Sequence, residues 1–341
     1  MHPADKSVLR LAFGLGLAAL IAYGMALPIP YLVCLLSVLL LAKPGPPLPL
    51  GKGLALAALL GGMVALGVLM VPLLENYKVA GVILTGAVLF ALFFTGQRTG
   101  NPLVTVLIIA FTVVPVAGVA DQALVTVIAG TLALGVAVGA LVGGVAHAFF
   151  PDAPAAGGRA PAVRPGRAAA AWIAARGTLV VLPVFVLVLS DPSAFMPALL
   201  NTANLAQQAC GASARSAGRQ LVGSTLLAAA LAAVVWCGLS LLPSLWMLAL
   251  WLMLAAVWVG ARLYRAAPTA LPATFWSGAL TTMLILLGPA IEDSANGEGV
   301  LGASVGRIAI FIGVALYAWA TVWLSERWRA GRDVALAGNG V

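Results

Sequence analysis

A chain of 341 residues that is 62% hydrophobic and only 8% charged has too little polar surface to dissolve as a globular domain, which excludes the water-soluble fold classes. A net charge of +8 would suit a nucleic-acid partner, but the cations fall between apolar stretches of bilayer-spanning length. Loops held on one side of a membrane account for them, and no nucleic acid is expected. Cys34, Cys210 and Cys237 lie in or beside apolar stretches with no disulfide or metal spacing, and two histidines, His2 and His147, exclude a His-ligated haem pair; no cofactor or metal is expected.

In chain order the apolar segments are 8–27, 29–42, 52–73, 79–95, 101–119, 122–149, 173–190, 194–212, 219–238, 244–261, 270–289 and 302–324. They predict an all-α polytopic membrane protein of about twelve transmembrane helices. Lys6 and Arg10 ahead of the apolar run from Leu11 to Leu27 imitate a signal peptide, but no small-residue cleavage site precedes a polar domain, so that helix is expected to remain. The second segment is short for a span and the eighth is unusually polar.

With the N-terminus inside, Lys6, Arg10, Lys43, Lys52, Arg98, Arg159, Arg164, Arg167, Arg176, Arg215, Arg219, Arg262, Arg265, Arg327, Arg329 and Arg332 all fall on the inner side. Only Lys78 and Arg307 fall outside, together with the acids Glu75, Asp121, Asp191, Glu292, Asp293 and Glu298. This bias predicts both termini in the cytoplasm of a bacterial inner membrane. The chain also echoes itself: Arg10, an apolar helix and Pro28-to-Tyr31 return as Arg176, an apolar helix and Asp191-to-Phe195, and Lys52 returns as Arg219. Two like-oriented six-helix repeats are expected, at 1–150 and 172–330, joined by a flexible linker at 151–171 and followed by a disordered tail at 331–341.

The eighth segment carries the polar cluster most able to do chemistry. At 100° per residue, Asn201, Asn204, Gln208, Gly211 and Arg215 fall within about an 80° stripe of one helix face, whereas Thr202 and Gln207 point elsewhere. Amides facing hydrocarbon find no partner, so the stripe should face protein or water. It reads either as one wall of a conduit ending at Arg215 or as interhelical bonding that locks the bundle. Lesser stripes are Asn101, Thr105 and Thr112 in the first half and Thr274, Ser277 and Thr281 in the second; back-bonding to helix carbonyls is the plainer account of these. Lys52 and Arg219, opening the third and ninth segments, could attract an anion or merely snorkel to headgroups.

Arg307 lies outside the sorted cations, with Glu292, Asp293, Glu298 or Asp121 as expected partners in a gating or structural ion pair. Asp121 is the first choice for a coupling carboxylate. Gly135, Gly139 and Gly143 at four-residue spacing read as a packing face. The nine tryptophans all follow residue 171, several near expected interfaces. No phosphate-binding loop, zinc motif or nucleophile elbow occurs, so an enzyme or an ATP-driven pump is not expected.

The Arg-led first helix, the Pro28-to-Tyr31 re-entry, the short second helix closed by Lys43 and Pro44, and a basic opening to the third helix resemble the fusaric acid resistance family. The stretch from Arg219 to Gly223, Ser224 and Thr225 comes closest to that family's basic-then-Gly-small signature. The resemblance is to its compact branch, the DUF2955 membrane proteins, and covers most of residues 6–330. It implies inner-membrane efflux of aromatic or hydrophobic carboxylic acids with a periplasmic HlyD-type adaptor and, through it, an outer-membrane channel. Lys52, Arg219 and Gly223 are the matching positions. Larger exporters of that family carry cytoplasmic domains that this chain lacks, which weakens any expected regulatory or oligomerising role. A passive organic-anion channel, a noncatalytic scaffold subunit, a major facilitator or a membrane-embedded enzyme are the alternatives. The Lys43-to-Lys52 loop lacks the Gly-Asp-Arg pattern of the facilitators, and the scattered acids argue against the enzyme.

Overall fold

The computed structural model describes residues 2–42, 50–100, 103–151, 165–211, 214–295 and 300–338. These form twelve helices: α1 (Pro3–Gly24), α2 (Pro30–Leu41), α3 (Leu50–Asn76), α4 (Lys78–Thr99), α5 (Leu103–Ala120), α6 (Gln122–Phe149), α7 (Arg167–Ser190), α8 (Pro192–Gly211), α9 (Ala214–Leu241), α10 (Leu245–Leu263), α11 (Ala273–Ala295) and α12 (Val300–Gly338). Hydrocarbon offers no partner to backbone N–H and C=O groups, so each apolar segment closes its own hydrogen bonds. Local chemistry sets the ends. The Asp121 carboxylate accepts from Ala123 N at 2.8 Å to start α6, and the Ser244 hydroxyl accepts from Met247 N at 3.3 Å to start α10. Gly100, at φ 64°, takes the left-handed turn that ends α4, a conformation without strain only for glycine.

Among the described residues nine helices are long and apolar enough to cross a bilayer, and the chain is a multi-pass membrane protein. The sequence predicts twelve spans; α2 and α5 are apolar but shorter than the rest, and α8 is too rich in amides. These three helices share a location. With α11 they form the middle of the bundle, where α2 packs on α11, α11 on α8, α8 on α5 and, more lightly, α5 on α2. The spanning part of α11 is 83% buried, against 22% for α4 and 28% for α3 at the rim. A helix walled in by other helices need neither match the bilayer thickness nor be apolar all round, which is why the short and polar segments sit here.

Helix contacts in the first half of the chain have counterparts in the second. Packing of α1 on α10 is matched by α7 on α4, α3 on α5 by α9 on α11, α2 on α6 by α8 on α12, and α2 on α11 by α8 on α5. Small residues let backbones approach at these contacts. A β-carbon on Gly135 of α6 would lie 2.5 Å from Leu36, and one on Gly139 would lie 3.2 Å from Ser37 Cα, whereas Gly143 stands looser at 3.9 Å from Leu41.

Two expectations shift. Arg167 and the four residues after it, counted with the linker on sequence, form the first turns of α7, and α12 remains helical to Gly338, past residue 330. Arg215 lies on α9, beyond residues 212–213, which with its own side chain fall outside the described residues. Residues 43–49, Asn101, 152–164 and Glu298, which carried the Lys43-Pro44 closure, one stripe residue, most of the linker and one outer acid, lie outside the described residues.

Candidate functional site

The amides of α8 meet hydroxyls of α9 and α11 in the second half of the chain. Asn201, fully buried, accepts through Oδ1 from the Thr282 hydroxyl at 2.8 Å. Asn204 donates from Nδ2 to Thr281 Oγ1 at 2.7 Å, to Thr282 Oγ1 at 3.1 Å and to Gly278 O at 3.3 Å. Gln208 accepts through Oε1 from the Ser224 hydroxyl at 3.1 Å. Gln208 reaches this place because Gly278 has no side chain: a β-carbon there would lie 2.1 Å from Gln208 Nε2. Among the described residues nothing accepts from Asn201 Nδ2 or Gln208 Nε2, although both are buried. The cluster therefore presents two uncommitted neutral N–H donors in a desolvated interior, the chemistry that holds a carboxylate oxygen or a water.

The cluster gathers Asn201, Asn204, Gln208 and Thr281, and these hydrogen bonds remain within α8, α9 and α11. Thr112 on α5 is buried and donates to Ile108 O at 2.8 Å on its own helix, and Thr105 is half-buried on the same helix. Lys52 lies in the first turn of α3 with its side chain outside the described residues, as is that of Arg215. Arg219 is exposed near the start of α9. Gly223, one turn on, faces Phe275 of α11, 3.2 Å from where its β-carbon would be.

Two further cations turn inward. Arg10, 5% exposed, donates to Ser7 Oγ at 2.9 Å and to His147 Nε2 at 2.9 Å, joining α1 to the end of α6. A guanidinium only donates, so the ring nitrogen it meets is the accepting one. Arg176, 6% exposed, pairs with Glu326 at 3.2 Å, joining α7 to α12, and donates to the carbonyls of Ala209 and Cys210. Those carbonyls are among the last of α8, where a cation also complements the negative end of the helix dipole. Sequence sorting treats both arginines as ordinary inner-side cations. The signal that sets them apart is their equivalent place in the internal echo, each at the start of an apolar run.

At the opposite end of the bundle, Arg307 of α12 is hydrogen-bonded to Asp293 of α11. Glu292 Oε1 and Arg307 Nη1 are buried beside this pair and lack a partner among the described residues. Asp121 stands apart, exposed, as the N-cap of α6. A cavity of about 590 Å³ opens at this same end between α1, α9, α10 and α11, lined by Tyr23, Trp236, Ser240, Ser244 and Ile291. Among the described residues no group of three or more His, Cys, Asp or Glu is placed to hold a metal ion.

The family model described as a protein of unknown function (DUF2955) matches residues 7–146, that is, α1 to near the end of α6. No curated protein and no solved structure matches the chain.

Proposed function

We propose that this membrane protein is a secondary transporter of the bacterial inner membrane that exports aromatic or hydrophobic organic acids. In this reading both termini are cytoplasmic, and two like-oriented six-helix repeats meet at the middle of the bundle. The recurrence of helix contacts when six is added to each helix number supports the repeat, and the alternation of cations and acids along the chain supports the orientation. One observation carries the transport reading: buried amide donors of Asn201 and Gln208, without acceptors among the described residues, stand on a central helix. Such groups are unfavourable in a bundle that does nothing but pack. An anion leaving the cytoplasm would exchange its water for these N–H groups, with apolar walls around its ring. A membrane potential negative inside drives its exit by about 2.3 kcal/mol per charge per 100 mV. The resemblance noted from sequence adds an HlyD-type periplasmic adaptor as the partner.

The scaffold reading is favoured by a different observation, that Asn204 and both amide oxygens are already bonded within the bundle. Asn204→Leu separates the two readings. Thr281 and Thr282 keep other acceptors, Ser277 O and Asn201 Oδ1, so the loss in stability should be about 1 kcal/mol, at about 0.6 kcal/mol for each interhelical bond made by the two N–H groups of Asn204. Transport of a panel of aromatic carboxylates into everted vesicles should fall at least tenfold in Asn204→Leu and in Gln208→Leu at unchanged folded yield. Full transport in both variants would leave packing as the amides' role. Current carried without any pH gradient would favour a passive channel.

A further inference from the structure

Near the Arg176–Glu326 pair, α7 and α12 stand apart and leave a groove of about 570 Å³ lined by Trp172, Leu179, Tyr317, Leu324 and Trp328. We propose that this groove binds one acyl chain of an anionic phospholipid, whose headgroup is held by Arg167, Arg327 and Arg329.

The hydroxyls of the groove are already used. Tyr317 OH donates to Leu179 O at 2.7 Å, Thr321 Oγ1 to Tyr317 O at 2.9 Å and Ser325 Oγ to Val322 O at 2.8 Å. Arg176, which also borders it, is paired with Glu326 and bonded to the end of α8. The slot therefore offers chiefly hydrocarbon contact, its bordering cation Arg176 being already paired with Glu326, and its volume is that of an ordinary ligand pocket. A short amphipathic carboxylate would need a cation inside the slot; a phospholipid needs one at its mouth.

The mouth has them. The Arg176–Glu326 contact places the start of α7 beside the far part of α12. Arg167, nine residues before Arg176, and Arg329, three after Glu326, therefore extend toward the same end, at about 1.5 Å per residue. Arg167, Arg327 and Arg329 are exposed, and Arg327 sits over the Trp323 ring with its guanidinium carbon 5.1 Å from the centroid. Trp172 and Trp328 supply the amphipathic rings that settle at headgroup depth. Exposed basic residues at the end of a slot between membrane helices suit an anionic headgroup.

The first half shows what closes the equivalent space. Counting from the matched Arg10 and Arg176, Leu179 corresponds to Phe13. Phe13 of α1 packs edge-on against Phe149 at 5.5 Å and Phe150 at 6.3 Å, at the end of α6. Aromatic rings fill that contact, whereas between α7 and α12 a groove of about 570 Å³ remains.

The test uses the purified, delipidated full-length chain in detergent, titrated with phosphatidylglycerol and with phosphatidylcholine of the same chains and read by native mass spectrometry. Phosphatidylglycerol should bind at least tenfold tighter. The double substitution Arg327→Gln with Arg329→Gln should remove that preference, at about fivefold per charge. Leu324→Trp should fill the slot and weaken both lipids, while Leu316→Trp, elsewhere on exposed α12, should change neither. Equal affinity for the two lipids, retention unchanged in both groove variants, or displacement of the lipid by benzoate at millimolar concentration would each overturn the proposal, the last by giving the groove to a small carboxylate.

Discussion

A β-carbon on Gly288 would lie 2.2 Å from Tyr31 Cγ and 2.3 Å from Tyr31 Cβ, at the stem of a buried ring that cannot turn aside. On Gly278 it would meet only the amide end of Gln208, which can swing away if it gives up its bond to Ser224. Alanine improves helix propensity by about 1 kcal/mol at either place, and overpacking takes back about 1–3 kcal/mol. The two substitutions should therefore differ. Gly288→Ala should destabilise by up to about 2 kcal/mol, and Gly278→Ala should come out near neutral, as read from thermal unfolding of the purified variants in one detergent. A Gly288→Ala protein melting with the wild type would mean that α2 and α11 are not in tight contact. Sequence spacing reveals which residues are small, and Gly135 and Gly139 do face another helix as their spacing suggests. It does not reveal which large side chain enters the gap, because Tyr31 and Gly288 meet only through the fold.

At the scale of the helix, the order and number of elements were legible because hydrocarbon forces one helix per apolar segment. The short α2 and polar α8 were legible as oddities as well. Their meaning came from packing, since length and polarity do not say whether a helix is at the rim or the centre. The three cysteines report on the same distinction without any engineering. Cys34 on α2 and Cys210 on α8 are buried, whereas Cys237, four residues from the end of α9, is exposed. A membrane-permeant maleimide should add one label per chain to the native protein and three after denaturation, counted by intact mass. Rapid labelling of Cys34 would put α2 against water or lipid and remove it from the middle of the bundle.

For the molecule as a whole, the contacts of α1 with α10 and of α4 with α7 bind each half to the other over long apolar surfaces. The internal echo suggested two repeats, but it could not show that their rims interlock, because pairing across the halves leaves no trace in either segment alone. Residues 1–157 and 158–341, produced as separate chains in one cell, should assemble and co-elute in detergent through an affinity tag on one of them. Either fragment alone should aggregate, since α1 and α4 would lose their partners. A first fragment that is monomeric and stable by itself would mean that the seam contributes little.

On the repeat reading proposed above, a single six-helix ancestor would have found the partners of its first and fourth helices in a second copy of itself, as a symmetric homodimer. Fusion of two such genes releases the halves from identity. Only the second half holds the tryptophans, and Arg307 with Asp293 gives one end of the molecule an ion pair that a true homodimer would have to carry twice. Divergence of this kind lets one half specialise while its sister goes on supplying the matching wall.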